Sequence, residues 1–339
     1  MPPRATGAWP LRLSIPSSPA WRGRLTRGWP AIAITCHAGC WRPRTCTPAA
    51  APRTAPAGFA RNAERTAMRI LVIGAGGFIG RHVCQALIAA GHEAVPAALR
   101  PVTAWDTPQA WARALAGMDG VIYTAGCLRD QAEGVRDLLD LLHHRAPAAL
   151  ATACEIAGIR RLVHVSALCG GPSAYARSKQ AGDVALAGRA HIVRPSLVLG
   201  PGGVSSRMLA RLSRLPWLPL PSAVARCHVQ PIRVEDLAEG LVRLLDAPTP
   251  HVDWTAVGPQ IVTVAELIAQ RRAASGRAPA RLLDLPDALS RLSARLGDRL
   301  PLGPWCSTAL DLLARDSTAP DACSPLGRPL RGALAGGWT

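Results

Sequence analysis

The chain has 339 residues, 49% of them hydrophobic, and a formal net charge of +17. That length holds one large domain or two ordinary ones, with apolar residues enough for a full core. The charge is not laid out as a nucleic-acid footprint: residues 1–67 carry ten arginines and one acid, and the basic and acidic groups beyond them are scattered, with no aromatic-interleaved stripe.

The ten cysteines include no CxxC pair and no spacing that suggests a disulfide framework, which argues against a zinc site or a redox pair. Dispersed small apolar thiols suit a reducing compartment, and the expected location is cytoplasmic. No apolar run approaches the length of a membrane-spanning helix. The run Ala31–Thr35 is too short for a secretory signal and is flanked by arginines.

Residues 1–67 hold ten prolines and four of the ten tryptophans, without hydrophobic period. Such a segment is expected to be a disordered or non-native extension rather than a packed domain, with Met68 as the natural start. From there the chain alternates strand and helix. Arg69–Ile73 is a short continuous apolar run, as a buried parallel strand requires. A glycine turn over Gly74–Gly80 leads into a helix that ends at Gly91. Strands are predicted at 93–99, 120–124, 161–165 and 191–194, and helices at 111–117, 146–158 and 175–187. Later come a short strand at 230–234, a helix at 235–245, and a helix at 262–274 with Thr263 and Glu266 at capping-box spacing. Repeated β-α-β units predict an α/β fold, a doubly wound parallel Rossmann sheet over 68–200. A smaller, mostly helical region over 201–335 is expected on the substrate side, with 228–246 returning to the core. Only 28 residues separate Gly91 from Gly120, so one helix between the second and third strands is expected to be shortened or lost.

The glycines at 74, 77 and 80 follow a strand and open a helix, the context that makes such a motif informative. Gly74 allows the tight turn, Gly77 a close approach of backbone to pyrophosphate, and Gly80 close packing of helix on strand. Phe78, Ile79, Gly80 and Arg81 form the first helical turn, whose N–H groups and dipole favour phosphate. Phe78 itself reads as packing. NAD-specific sites place an acid at the end of the second strand; here that strand runs out at Arg100 without one. Arg100, with Arg81, would suit a 2′-phosphate, so NADP is favoured over NAD.

Lys179 is the only lysine in the chain; every other basic side chain is an arginine. It stands four residues after Tyr175, on the same helical face. A compact ammonium beside a phenol favours the phenolate, which makes Tyr175 a usable proton donor. The nine histidines show no metal-ligand spacing, and no metal is expected. His143 and His144 are read as lying on a surface helix or loop, and Tyr123 as a strand residue near the site.

The glycine turn, Thr124-Ala125-Gly126, the Tyr175/Lys179 pair, Arg194-Pro195 and the segment Gln230–Asp236 together resemble the extended and atypical short-chain dehydrogenase/reductase superfamily, of NAD-dependent epimerase/dehydratase type. Val165–Leu168, Pro195–Gly203 and Leu218–Pro221 are similar to a subgroup related to the Rossmann-type accessory subunit of respiratory complex I. The resemblance covers about residues 68–330. It implies that Tyr175 is the catalytic proton donor and that Lys179 holds the nicotinamide ribose. It also implies that Ala125 and Gly126 run along the cofactor and that Pro195 lies near the nicotinamide. The superfamily's catalytic hydroxyl falls at Ala167; Ser166, one residue off, is a doubtful substitute. The activity implied is an NADP-linked oxidoreductase acting on a small molecule. The alternatives are a non-catalytic nucleotide-binding protein, acting structurally, in redox sensing or peripherally in assembly of a membrane complex, and a nucleotide-sugar epimerase or dehydratase.

Overall fold

The structure, a computed structural model, describes residues 67–99, 105–129, 137–247, 251–300, 305–320 and 322–333. The expected N-terminal extension, apart from Ala67, and Arg100 lie outside the described residues.

The first half alternates strand and helix as the apolar runs predict. In chain order the elements are β1 (Arg69–Ile73), α1 (Phe78–Ala89), β2 (Glu93–Ala97), α2 (Pro108–Leu115) and β3 (Gly120–Tyr123). A helix then begins as α3 (Leu138–Asp140), widens into a π turn over Leu141–Arg145, and continues as α4 (Ala146–Ile156). After it come β4 (Leu162–Val165), α5 (Ala174–Leu186), β5 (His191–Pro195), β6 (Val198–Leu199), α6 (Val204–Leu212), β7 (Trp217–Pro221) and α7 (Ser222–Arg226). The remaining elements are β8 (His228–Val229), β9 (Ile232–Arg233), α8 (Val234–Leu244), β10 (Asp253–Ala256), β11 (Val262–Thr263), α9 (Val264–Ala273), β12 (Arg281–Leu285), α10 (Asp287–Arg299) and α11 (Ser307–Leu313).

Six strands form one parallel sheet in the order β10-β5-β4-β3-β1-β2. Side chains of β1 alternate between its two faces, as the pleat dictates. Ile70 and Val72 join one core cluster, which also takes in residues of α1 and α8; Leu71 and Ile73 join the other, with residues of α2 and α4. Both faces are covered, so the strand interiors are mostly apolar, with charged residues such as Arg69, Glu93 and Asp253 at strand ends.

Between β2 and β3 the described residues hold one helix and no strand, and the sheet ends at β2. The short passage predicted a helix shortened or lost; among the described residues one helix remains there and no further strand, and a helix without a further strand to return to has no crossover to make. β1 therefore lies between β2 and β3. The strand order reverses there, and ligands of open α/β sheets bind outside the carboxyl ends at such a point.

The C-terminal part is mostly helical, with short strands between the helices. A third apolar cluster, including Leu209, Leu220, Val224 and Leu267, sits under α6, α7 and α9. Beside it β7 pairs in parallel with β12, a two-stranded element that the proline- and leucine-rich sequence does not announce. The capping box is formed: Glu266 N–H donates to Thr263 Oγ1 at 3.1 Å, and Thr263 N–H to Glu266 Oε2 at 2.7 Å.

Candidate functional site

The sheet register decides which residues meet. Ile73 pairs with Ala97 and Tyr123, Tyr123 with His164, and Val165 with Val193. The carboxyl edge therefore carries Gly74 after β1, Thr124-Ala125-Gly126 after β3, Ser166-Ala167 after β4, and Pro195 at the end of β5.

Gly74 turns at φ +84°, a region that side chains avoid. A Cβ there would stand 2.8 Å from Ala125 N. The turns after β1 and β3 thus touch backbone to backbone. Gly80 is needed for a different reason, since a Cβ on it would lie 2.2 Å from the Gly74 carbonyl oxygen. Its absence lets α1 start directly on the turn. Gly77 caps α1 in extended conformation, no side chain caps the helix, and no acid lies in its first turn. The positive end of a twelve-residue helix is left for an anion. The residues present fit a dinucleotide pyrophosphate. Phe78 packs as expected: its ring lies edge-on to His82 at 5.4 Å and close against Gly203. Arg81 turns back on the loop, Nη1 donating to the Gly76 carbonyl at 2.9 Å.

Helix α5 begins at Ser173, whose hydroxyl accepts from Ala176 N–H at 3.1 Å. That start places Tyr175 in the first turn and Lys179 one turn later; both are buried, each 1% exposed. Lys179 Nζ donates to the carbonyl of Val165, the last residue of β4, at 3.1 Å. The ammonium is thereby held at the carboxyl end of the sheet. Tyr123 is ruled out as the acid: its hydroxyl donates to the Leu142 carbonyl at 2.8 Å, and burial, then Cys127, push it far above the ordinary phenol range.

His143 departs from expectation. It is fully buried, not on a surface helix or loop, because the π turn brings its side chain inward. Its ring stands edge-on to that of Tyr175, centroids 5.2 Å apart. Nε2 accepts from Cys127 N–H at 3.2 Å, so Nδ1 carries the proton. That proton goes to Ser178 Oγ at 2.9 Å, and Ser178 Oγ donates on to the Tyr175 carbonyl at 2.9 Å. Burial first, then Lys179, then His164 hold the His143 imidazole well below its ordinary pKa, so this neutral tautomer is the working form. The chain from the β3 turn through His143 to the backbone of Tyr175 is a brace, absent from the sequence reading. One signal for it was present: Gly182, inside α5, where glycine is costly. A Cβ at 182 would stand 1.9 Å from the His143 carbonyl oxygen, so the helix accepts that cost to let the π turn approach.

Ser166 is fully buried, and its N–H donates to Val193 O at 2.7 Å. Ala167, by contrast, lines a cavity of about 370 Å³ together with Lys179. Asp183, Arg194 and Asp253 form its charged wall, with Arg194 bound to Asp183 at 2.6 Å and to Asp253 at 3.1 Å. Ala167, which carries only a methyl group, thus shares this cavity with Lys179, and the hydroxyl-bearing Ser166 sits next door in the chain. Asp106, after β2, pairs with Arg145 at 3.0 Å. Among the described residues no cluster of histidine, cysteine or acid is arranged for a metal, and no helix is long and apolar enough to cross a membrane.

The fold has well-matched counterparts. UDP-glucose 4-epimerase of Thermus thermophilus, solved with NAD, is 23% identical, with a TM-score of 0.52 over 65% of this chain and 86% of that one. dTDP-4-dehydrorhamnose reductase of Clostridium acetobutylicum is 19% identical, TM-score 0.55, over 66% and 85%. Its counterpart from Bacillus anthracis, solved with NADP, is 18% identical, TM-score 0.55, over 66% and 86%. No curated protein matches the chain. The model of the NAD dependent epimerase/dehydratase family matches residues 70–254. That span covers more than half of the sequence, from β1 through the glycine turn and α5 into β10, and the chain belongs to this family.

Proposed function

We propose that this protein is an NADP-linked oxidoreductase in which Tyr175 moves the proton and Lys179 positions the cofactor. The dinucleotide would lie across the turn at Gly74–Gly80, along Ala125 and Gly126, with Pro195 beside the nicotinamide. The cofactor supplies or takes up hydride at the substrate carbon. Tyr175 gives its hydroxyl proton to the substrate oxygen in reduction and accepts one in oxidation. Lys179 holds the ribose and favours the phenolate, and the His143–Ser178 chain steadies the backbone that carries the phenol. What supports this reading is the sole lysine, bonded to the last carbonyl of β4 one helical turn after Tyr175, on a sheet whose first crossover helix has an uncapped N-terminus. Preference for NADP rests on the absence of an acid after β2, with Arg100 and Arg81 as partners for the 2′-phosphate.

Fluorescence titration with NADPH and NADH, then consumption of NADPH against a carbonyl panel, tests the proposal. Tyr175→Phe should abolish turnover and spare binding. Lys179→Met should weaken binding at least about tenfold, the worth of one charge-assisted hydrogen bond. Unchanged affinity in Lys179→Met would remove the site assignment.

A second reading, a nucleotide-binding protein without turnover, is favoured by one specific feature. Ala167 lines the same cavity as Lys179, at the position where the superfamily's hydroxyl would stabilise developing charge, an effect of about 100- to 1,000-fold in rate on the precedent of oxyanion donors. Tight NADPH binding with no consumption would select it. Ala167→Ser separates the two: in the catalytic reading it raises kcat, and in the binding reading it changes nothing.

A further inference from the structure

A second cavity, of about 280 Å³, lies in the C-terminal part between α6, β7, α7, β12 and α10. Met208, Leu209, Leu212, Leu220 and Val224 form most of its wall, and none of the residues lining it carries a charge. One of its two serines is already committed: Ser293 Oγ donates to the Ser290 carbonyl at 2.8 Å and accepts from Trp305 Nε1 at 3.1 Å. Apolar cavities of about 150 Å³ stay dry and take up benzene; this one is larger. A diphosphate would need cationic forks or helix N–H groups, which this wall lacks. Leu197, two residues beyond Pro195 in the chain, is part of the lining. Two of the elements around it also carry exposed apolar side chains: Leu289, Leu292 and Leu296 on α10 and Leu282 on β12 are about half exposed.

We infer that this cavity binds a medium-length hydrocarbon chain, aliphatic or isoprenoid, as the apolar part of the ligand. That the chain belongs to the substrate rests on the oxidoreductase reading above. The binding site itself does not, and it is measured without cofactor.

Calorimetric titration of the full chain with hexanol, octanol and decanol tests the inference. A finite apolar cavity predicts saturable one-to-one binding that tightens about fourfold per methylene. Met208→Trp fills the cavity and should weaken decanol binding at least tenfold; Leu212→Phe is the smaller filler should the first variant fail to fold. Leu289→Glu combined with Leu296→Glu alters only the exposed face and should leave binding within twofold. Absence of saturable binding would overturn the inference. Affinity unchanged in the filled variants, or lost in the exposed-face variant, would do the same by placing the alcohols on the surface. NADPH affinity measured on the same samples keeps the two claims apart. Retained NADPH binding with no alcohol binding sinks only the hydrocarbon site, and the converse sinks only the cofactor reading.

Discussion

His143 and His164 are titratable groups held in the core without charge. Burial lowers the pKa of each well below 6.5; Lys179 lowers both further, with His164 adding to the effect on His143 and Arg194 to that on His164. His191 is lowered less severely, by burial and then His251. The native state therefore binds fewer protons than the unfolded chain once pH falls below about 6.5. Stability rises with pH wherever the unfolded state holds more protons. The consequence is loss on acidification, reaching about 1.4 kcal/mol per pH unit for each fully buried histidine. Glu155, Glu235 and Glu266, whose pKa values are also lowered, add their losses only below about 4.5. Urea denaturation between pH 7 and 5 reads the histidines alone. His164 finds no hydrogen-bond partner for either ring nitrogen among the described residues. An apolar replacement of similar volume removes that penalty, so His164→Leu should raise stability at pH 7 by about 1 kcal/mol and flatten the slope. A destabilised variant with an unchanged slope would show that His164 is protonated or bonded.

The strand–turn–helix at 69–89 and the capping box of α9 were legible because each depends on local chemistry: a doubly buried strand, a glycine turn, a side chain reaching three residues on. The face of α5 was legible for the same reason, through its period and its single lysine. The π turn was not. It is set by contact with α5, and no sequence period encodes it, so His143 looked like a surface residue. The pairing of β7 with β12 was hidden by Pro219 and Pro221, which weaken any strand reading. Gly182 is where the two levels meet. Gly182→Ala would drive a methyl into the His143 carbonyl and should cost about 1–3 kcal/mol. By loosening the Tyr175 backbone it should also lower turnover more than NADPH affinity. Gly76→Ala, with nothing within 4 Å of its added Cβ, should change stability by less than about 1 kcal/mol. Thermal unfolding of the pair checks both, and equal losses would refute the close approach.

Across the whole molecule, one of the contacts that tie the C-terminal segment back to the Rossmann core is a buried carboxylate. Asp236 is fully buried in the first turn of α8, accepting from Arg328 at 2.8 Å and from Arg331 N–H at 2.7 Å. Arg328 is partly exposed, so the loss in Asp236→Ala should be about 2 kcal/mol, below that of a fully buried pair. Because α8 packs on α1, the same variant should weaken NADPH binding if the N-terminus of α1 holds the phosphates as proposed. Stability lost with NADPH affinity unchanged would show that the tether is only structural. The order of the six strands makes that link, since it sets the reversal of the sheet between β1 and β3 and so fixes where a dinucleotide can lie.

The most direct measurement is a crystal structure of the protein with NADP. The expected complex has pyrophosphate oxygens within hydrogen-bond reach of the backbone N–H groups at Phe78–Gly80, and Lys179 Nζ in reach of the ribose next to the nicotinamide. A dinucleotide found elsewhere, or a nicotinamide held out of reach of the Tyr175 hydroxyl, would contradict it.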